Sequence, residues 1–205
     1  MFGSRKFSVE AVSVAEALGL PGNPLQTVEL VRNKQACRDA LRKSGFRQSE
    51  VALCSNLDEA YAFISEHPAG PWIMKPPAAT GSAGVSLVRS AGELEQAFAY
   101  LAQSCKALDQ KLRQLGIAEE SLAQAVNIPF LVECFQSGEE YSAEGVFVYG
   151  QPHVLVITSK VTLGPPHFVE VGHAMSAELP RCIADGQGDS RIGVDDSGPQ
   201  GDSFL

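Results

Sequence analysis

No stretch of the 205 residues is apolar for long enough to cross a membrane, and no leading apolar run follows the basic pair Arg5 and Lys6. Neither a membrane partner nor a secretory leader is therefore expected. Basic residues are scarce too: 16 lysines and arginines against 24 acids give a net charge of -8, which argues against a surface that neutralises nucleic-acid phosphates. The five cysteines (Cys37, Cys54, Cys105, Cys134 and Cys182) are odd in number and never spaced C-x-x-C. That spacing suggests neither a disulfide framework nor a zinc site, and a reducing cytoplasmic setting fits best. Both a P-loop and a G-x-G-x-x-G fingerprint are missing. A hydrophobic content of 44% is enough to bury a core in one large or two small domains.

What is present centres on Pro71 to Val88. Trp72 to Met74 and Val85 to Val88 read as strands, and the loop between them is built from small residues, glycine and proline. Lys75 ends the first strand. Gly81 and Gly84 let backbone N–H groups approach an anion, and Ser82 adds a hydroxyl donor, so the loop can close over phosphates while Lys75 supplies a compact positive charge. An ordinary hairpin loop with a solvated lysine is the competing reading.

Around this hairpin the pattern is mixed α and β. Ser8 to Leu20 has helical spacing with Ser8 as a cap, and Asn33 caps a second helix from Lys34 to Ser44 that Gly45 closes. Lys34 opposes the dipole of that helix unless it faces an anion. Val51 to Cys54 reads as a strand, Asn56 to Glu66 as a helix, and Ser90-x-x-Glu93 as a capping box before a helix reaching Leu115. Gly116 to Asn127 is a polar connection. Phe130 to Phe135 is a buried-type strand interrupted by Glu133, either a hinge residue or an edge-strand acid facing solvent; Tyr141 to Tyr149 and Val154 to Ser159 form an antiparallel pair. Glu140 and Glu144 share a strand face. His167, Glu170 and His173 have a metal-like spacing, but in a strand Glu170 points away from both histidines. Cys134 has no histidine placed beside it by sequence to make it a nucleophile. From Ile183 onward Gly, Asp and Ser dominate, and no core can form.

Taken together, these pieces resemble the ATP-grasp superfamily in its carboxylate-amine ligase branch. The resemblance rests on Asn33-Lys34 opening a helix, Pro71-x-x-x-Lys75 with its Gly-Ser-x-Gly-Val loop, Leu131-Val-Glu133-Cys134-Phe135 followed by Gly138-Glu-Glu140-Tyr-Ser-x-Glu144, and Lys160 at a strand end. It implies an incomplete α+β (α/β) fold of ATP-grasp type: a remnant of a preceding domain and linker over 1–32, an ATP-grasp domain over 33–180 and a disordered tail over 181–205. Within the domain it implies a first ATP-binding subdomain over 33–128 and the start of a second over 129–180. Lys34, Lys75 and Lys160 would meet ATP phosphates beneath a loop of Thr80, Gly81, Ser82 and Gly84. Glu133, Cys134 and Phe135 would be the hinge whose backbone pairs with adenine, and Glu140 would take the ribose hydroxyls. The resemblance also implies a small-molecule carboxylate activated as its acyl phosphate, an amine acceptor, and Mg2+. The acid and Glu-x-Asn section that holds Mg2+ in the family finds no match here, so a truncated or frameshifted product without its metal ligands is expected. No catalytic residue is assigned. A non-catalytic nucleotide-binding or interaction module is the alternative.

Overall fold

The computed structural model describes residues 5–79, 81–114 and 128–175. The expectations for Thr80, for the connection 116–127 and for the tail from 181 lie outside these residues.

Three helices come first: α1 (Arg5–Ala17), α2 (Leu25–Arg32) and α3 (Lys34–Lys43). Ser8, expected to cap the first, falls inside it. The second helix, which sequence reading left unassigned, begins directly after Pro24, a residue suited to a helix start because it sacrifices only an N–H that would go unpaired there. Asn33 both ends α2 and caps α3, its Oδ1 accepting from the N–H groups of Gln35 (3.0 Å) and Ala36 (3.1 Å).

Next come β1 (Val51–Cys54), α4 (Leu57–Glu66), β2 (Trp72–Lys75), β3 (Ser86–Val88), α5 (Leu94–Gln114) and β4 (Phe130–Cys134). These four strands form one sheet in the order β1-β4-β2-β3, every pairing antiparallel. The two-residue period of the strands sorts their side chains. Trp72, Met74, Phe130 and Val132 face one way and build the core with Phe63 and Ile64 of α4 and Leu94, Ala97 and Leu101 of α5. The three α5 residues recur at helical spacing and so present one stripe to the sheet. Ile73, Lys75 and Glu133 necessarily face the other way, toward the open side. The expected capping box is built differently: the Glu93 carboxylate accepts from the Arg89 N–H (2.8 Å), and the Ser90 side chain makes no cap.

A second antiparallel sheet, in the order β5-β6-β7, comprises β5 (Tyr141–Val148), β6 (Gln151–Thr162) and β7 (Glu170–Met175). β4 is an inner strand of the first sheet, and the second sheet starts only at Tyr141. One expectation is corrected here: Lys160 does not end its strand, since β6 continues to Thr162.

At the register irregularity between Glu144 and Gly145, the backbone approach is tight: a Cβ on Gly145 would lie 2.2 Å from the His153 carbonyl oxygen. A backbone obstacle cannot rotate away. Gly145→Ala should therefore cost about 1–3 kcal/mol of stability in urea unfolding, as overpacked sites do. Wild-type stability in that variant would show that the β5–β6 ribbon opens freely at this point.

Candidate functional site

One cleft of about 1740 Å³ lies between the open face of the first sheet, α3 and the inner edge of the second sheet. Lys34, Lys75, Gly81, Ser82, Glu133, Cys134, Phe135, Glu140 and Lys160, well separated in the sequence, all line it. Gly84 does not. Its φ is +74°, and a Cβ there would sit 3.0 Å from Pro76 Cγ, so this glycine lets the loop pack against its own base rather than reach the cleft.

Lys34 stands at the first turn of α3, and its Nζ donates to the Ala79 carbonyl oxygen (2.7 Å) while its N–H meets Pro77 O (3.3 Å). The helix start is thus tied to the loop that follows β2, and a carbonyl dipole answers the unfavourable charge at the helix N-terminus. The same loop is tied at its other side: Ser82 Oγ donates to Phe168 O (2.7 Å). Ser82 has φ +56° and follows Gly81 at +64°, so consecutive left-handed residues bend the loop sharply back.

Lys75 and Glu133 are diagonal neighbours on β2 and β4, because Lys75 pairs with Leu131 and Ile73 with Glu133. Lys75 Nζ lies 2.5 Å from Glu133 Oε1, and Arg38 Nη2 lies 2.6 Å from Glu133 Oε2. All three side chains are almost buried, at 13%, 9% and 11% exposure for Lys75, Glu133 and Arg38. Glu133 is therefore not an edge-strand acid facing solvent; it sits on an inner strand gripped by two cations. Burial pulls the Lys75 ammonium below its ordinary range, and the Glu133 charge opposes that pull. Sequence reading missed Arg38. The signal was there in its four-residue spacing from Lys34 on the amphipathic α3, which puts both on one helix face.

The hinge segment is well anchored: the Cys134 N–H donates to Glu50 O (2.9 Å) and the Phe135 N–H to Pro71 O (3.0 Å). These two donors are committed to the protein. Burial, with Glu50 and Glu133 nearby, pushes the Cys134 thiol up, which disfavours the thiolate a nucleophile needs.

On the second sheet, Lys160 Nζ reaches Glu140 Oε1 (2.5 Å) and Glu170 Oε2 (3.6 Å), and the Lys160 N–H meets Glu140 O (2.8 Å). Glu170 does not point away from His173 as alternation predicts; their carboxylate and ring are 2.8 Å apart. A register irregularity in β7 is the cause, since Gly172 pairs with Val161 but Glu170 pairs with Thr162, leaving one extra residue between them. His167 lies in the turn before β7, its Nδ1 2.9 Å from Val85 O and its ring stacked on Tyr100. No group of three or more His, Cys, Asp or Glu among the described residues can hold a metal ion. No helix among them is long and apolar enough to cross a membrane.

Residues of two antiparallel sheets line one cleft, with Lys34, Lys75, Lys160 and the glycine-bent loop among its walls. The ATP-grasp domain family matches residues 69–186, more than half of the chain, and the protein belongs to that family. Over 146 residues it is 27% identical to alanine–anticapsin ligase of Bacillus subtilis (strain 168), covering 70% of this chain and 29% of that one. The crystal structure of L-amino acid ligase from Bacillus licheniformis superposes with a TM-score of 0.60 at 26% identity, over 87% of this chain and 36% of the other. A biotin carboxylase domain from Hydrogenobacter thermophilus, solved with MgADP and bicarbonate, shares the fold at a TM-score of 0.58 and 16% identity, over 77% of this chain and 32% of that one. The chain thus spans about a third of the length of these relatives.

Proposed function

We propose that this chain forms the nucleotide-binding part of an ATP-dependent ligase that activates a small carboxylate, an amino acid among the candidates, as its acyl phosphate and joins it to an amine. The observation that carries the reading is the cleft itself: Lys34 from a helix, Lys75 from one sheet and Lys160 from the other line the same space as the Gly81-Ser82 turn. Three cations from separate elements suit a triphosphate, whose charge a single lysine cannot balance, and they would disperse charge developing on the transferred phosphoryl group. Glu140, beside Lys160, offers a carboxylate able to accept both hydroxyls of a ribose. Adenine would lie against Glu133 to Phe135, meeting carbonyls of the segment, since the Cys134 and Phe135 N–H groups are already donated. The ligase relatives support the reaction class.

Calorimetric titration with ADP and Mg2+ tests the reading. Saturable binding is expected, weakened about tenfold or more in Lys75→Ala, the usual scale for losing a charge-assisted contact to a phosphate. A folded wild-type chain that takes up no ADP would leave the alternative, an interaction module without nucleotide.

A further inference from the structure

We propose that Arg38 is a positioning residue: by holding Glu133 on its own, it frees Lys75 to leave that carboxylate for an anionic ligand. The inference rests on the nucleotide reading above and concerns a residue that never needs to touch the nucleotide.

Glu133 is nearly buried, and each of its oxygens lies against a different cation: Oε1 accepts a hydrogen bond from the Lys75 ammonium, while Oε2 is in charge contact with the Arg38 guanidinium at 2.6 Å without hydrogen-bond alignment. One acid and two bases leave an excess positive charge at the floor of the cleft. Were Lys75 the sole partner, its departure toward a phosphate would strand a carboxylate in a poorly solvated place, and such an orphan is costly. With Arg38 in place, the departure leaves a neutral pair behind. The two cations also differ in mobility. Arg38 is fixed at its other nitrogen, Nη1 donating to Ser49 Oγ at 3.1 Å, so its planar fork is set before any ligand arrives. Lys75 ends a flexible stem at the strand terminus beside the glycine-bent loop. Two other cations of the cleft are engaged elsewhere: Arg42 is turned to Asp39 (3.4 Å), and Lys160 to Glu140 and Glu170. The positive field of Arg38 also opposes protonation of Lys75, in the same sense as burial.

The test is a four-way comparison of wild type, Arg38→Gln, Glu133→Gln and the double variant, each titrated with MgADP. Arg38→Gln should weaken ADP at least about tenfold, because Lys75 is then the only counter-charge of Glu133 and stays there. In the Glu133→Gln background the same change should cause no further loss of ADP affinity, since no carboxylate remains to hold the lysine and removing Arg38 only relieves repulsion between the two cations. Equal losses in both backgrounds, or none in either, would overturn the proposal; a purely structural arginine gives the former. Because Arg38→Gln leaves Glu133 with one partner fewer and can fail to fold, the pair Glu133→Gln and double variant decides alone: any further loss on removing Arg38 there is a refutation. The Lys75 side-chain titration, followed by nitrogen NMR without ligand, separates this proposal from the reading beneath it. It should move upward in Arg38→Gln. A wild type that binds no ADP, with the shift present in Arg38→Gln, removes the nucleotide reading; ADP binding with a titration unmoved in Arg38→Gln removes the role of Arg38.

Discussion

Glu133→Ala is expected to cost the fold about 3–5 kcal/mol, the scale measured when one partner of a buried ion pair is deleted. The loss arises from what remains. Lys75 and Arg38 are 13% and 11% exposed, and without the carboxylate two like charges face each other where solvent reaches them poorly. Lys75, already pulled down by burial, can escape only by shedding its proton. Replacing all three residues together with apolar residues of similar volume should be milder than the single change, because no charge is then left without a partner. Urea unfolding followed by circular dichroism checks both. A Glu133→Ala protein within about 1 kcal/mol of wild type would mean that water enters the floor of the cleft freely enough to solvate both cations, against the burial described.

Phe130→Ala is the second large effect, again about 3–5 kcal/mol, and for an unrelated reason. Phe130 is fully buried on the inner strand β4, opposite Cys54 and with its ring 5.2 Å from that of Phe98 on α5. Truncation removes apolar area from a core packed on both neighbouring strands and leaves a void that β1 and β2, tied to β4 by ladders, cannot close over. Phe147, also on a strand but 73% exposed, is the control: its alanine variant should stay within about 0.5 kcal/mol of wild type. Similar midpoints for the two variants would place β4 outside the cooperative core.

Much of this architecture can be read from residues alone, where local chemistry and period agree. Asn33 announces α3 because its side chain satisfies N–H groups that the helix itself leaves open. The alternation in Trp72-Ile-Met-Lys75 fixes Lys75 on the face opposite the core without knowledge of its neighbours. What sequence could not convey is pairing across distance. That β4 inserts between β1 and β2, rather than opening the second sheet, depends on which strands meet, and period is blind to partner choice. Hence the two cations that meet Glu133, from positions 75 and 38, could not be read from its own strand. Irregular backbone is equally opaque. Glu170 and His173 meet because of one extra residue in a ladder, and Gly84 turns away from the cleft because its loop packs on Pro76. Neither can be counted from spacing.

The turn between β6 and β7 reaches across to the first sheet: Leu87 donates its N–H to Pro166 O (2.7 Å), Phe168 O receives the Ser82 hydroxyl, and Phe168 stacks near Phe135 with ring centres 5.7 Å apart. The covalent link through residues 135–140 is therefore one tether between the sheets, and this turn is another. Leu87 to Pro166, Ser82 to Phe168 and His167 to Val85 hold this turn at three points, so separating the two sheets costs these bonds in addition to any strain in the connecting chain.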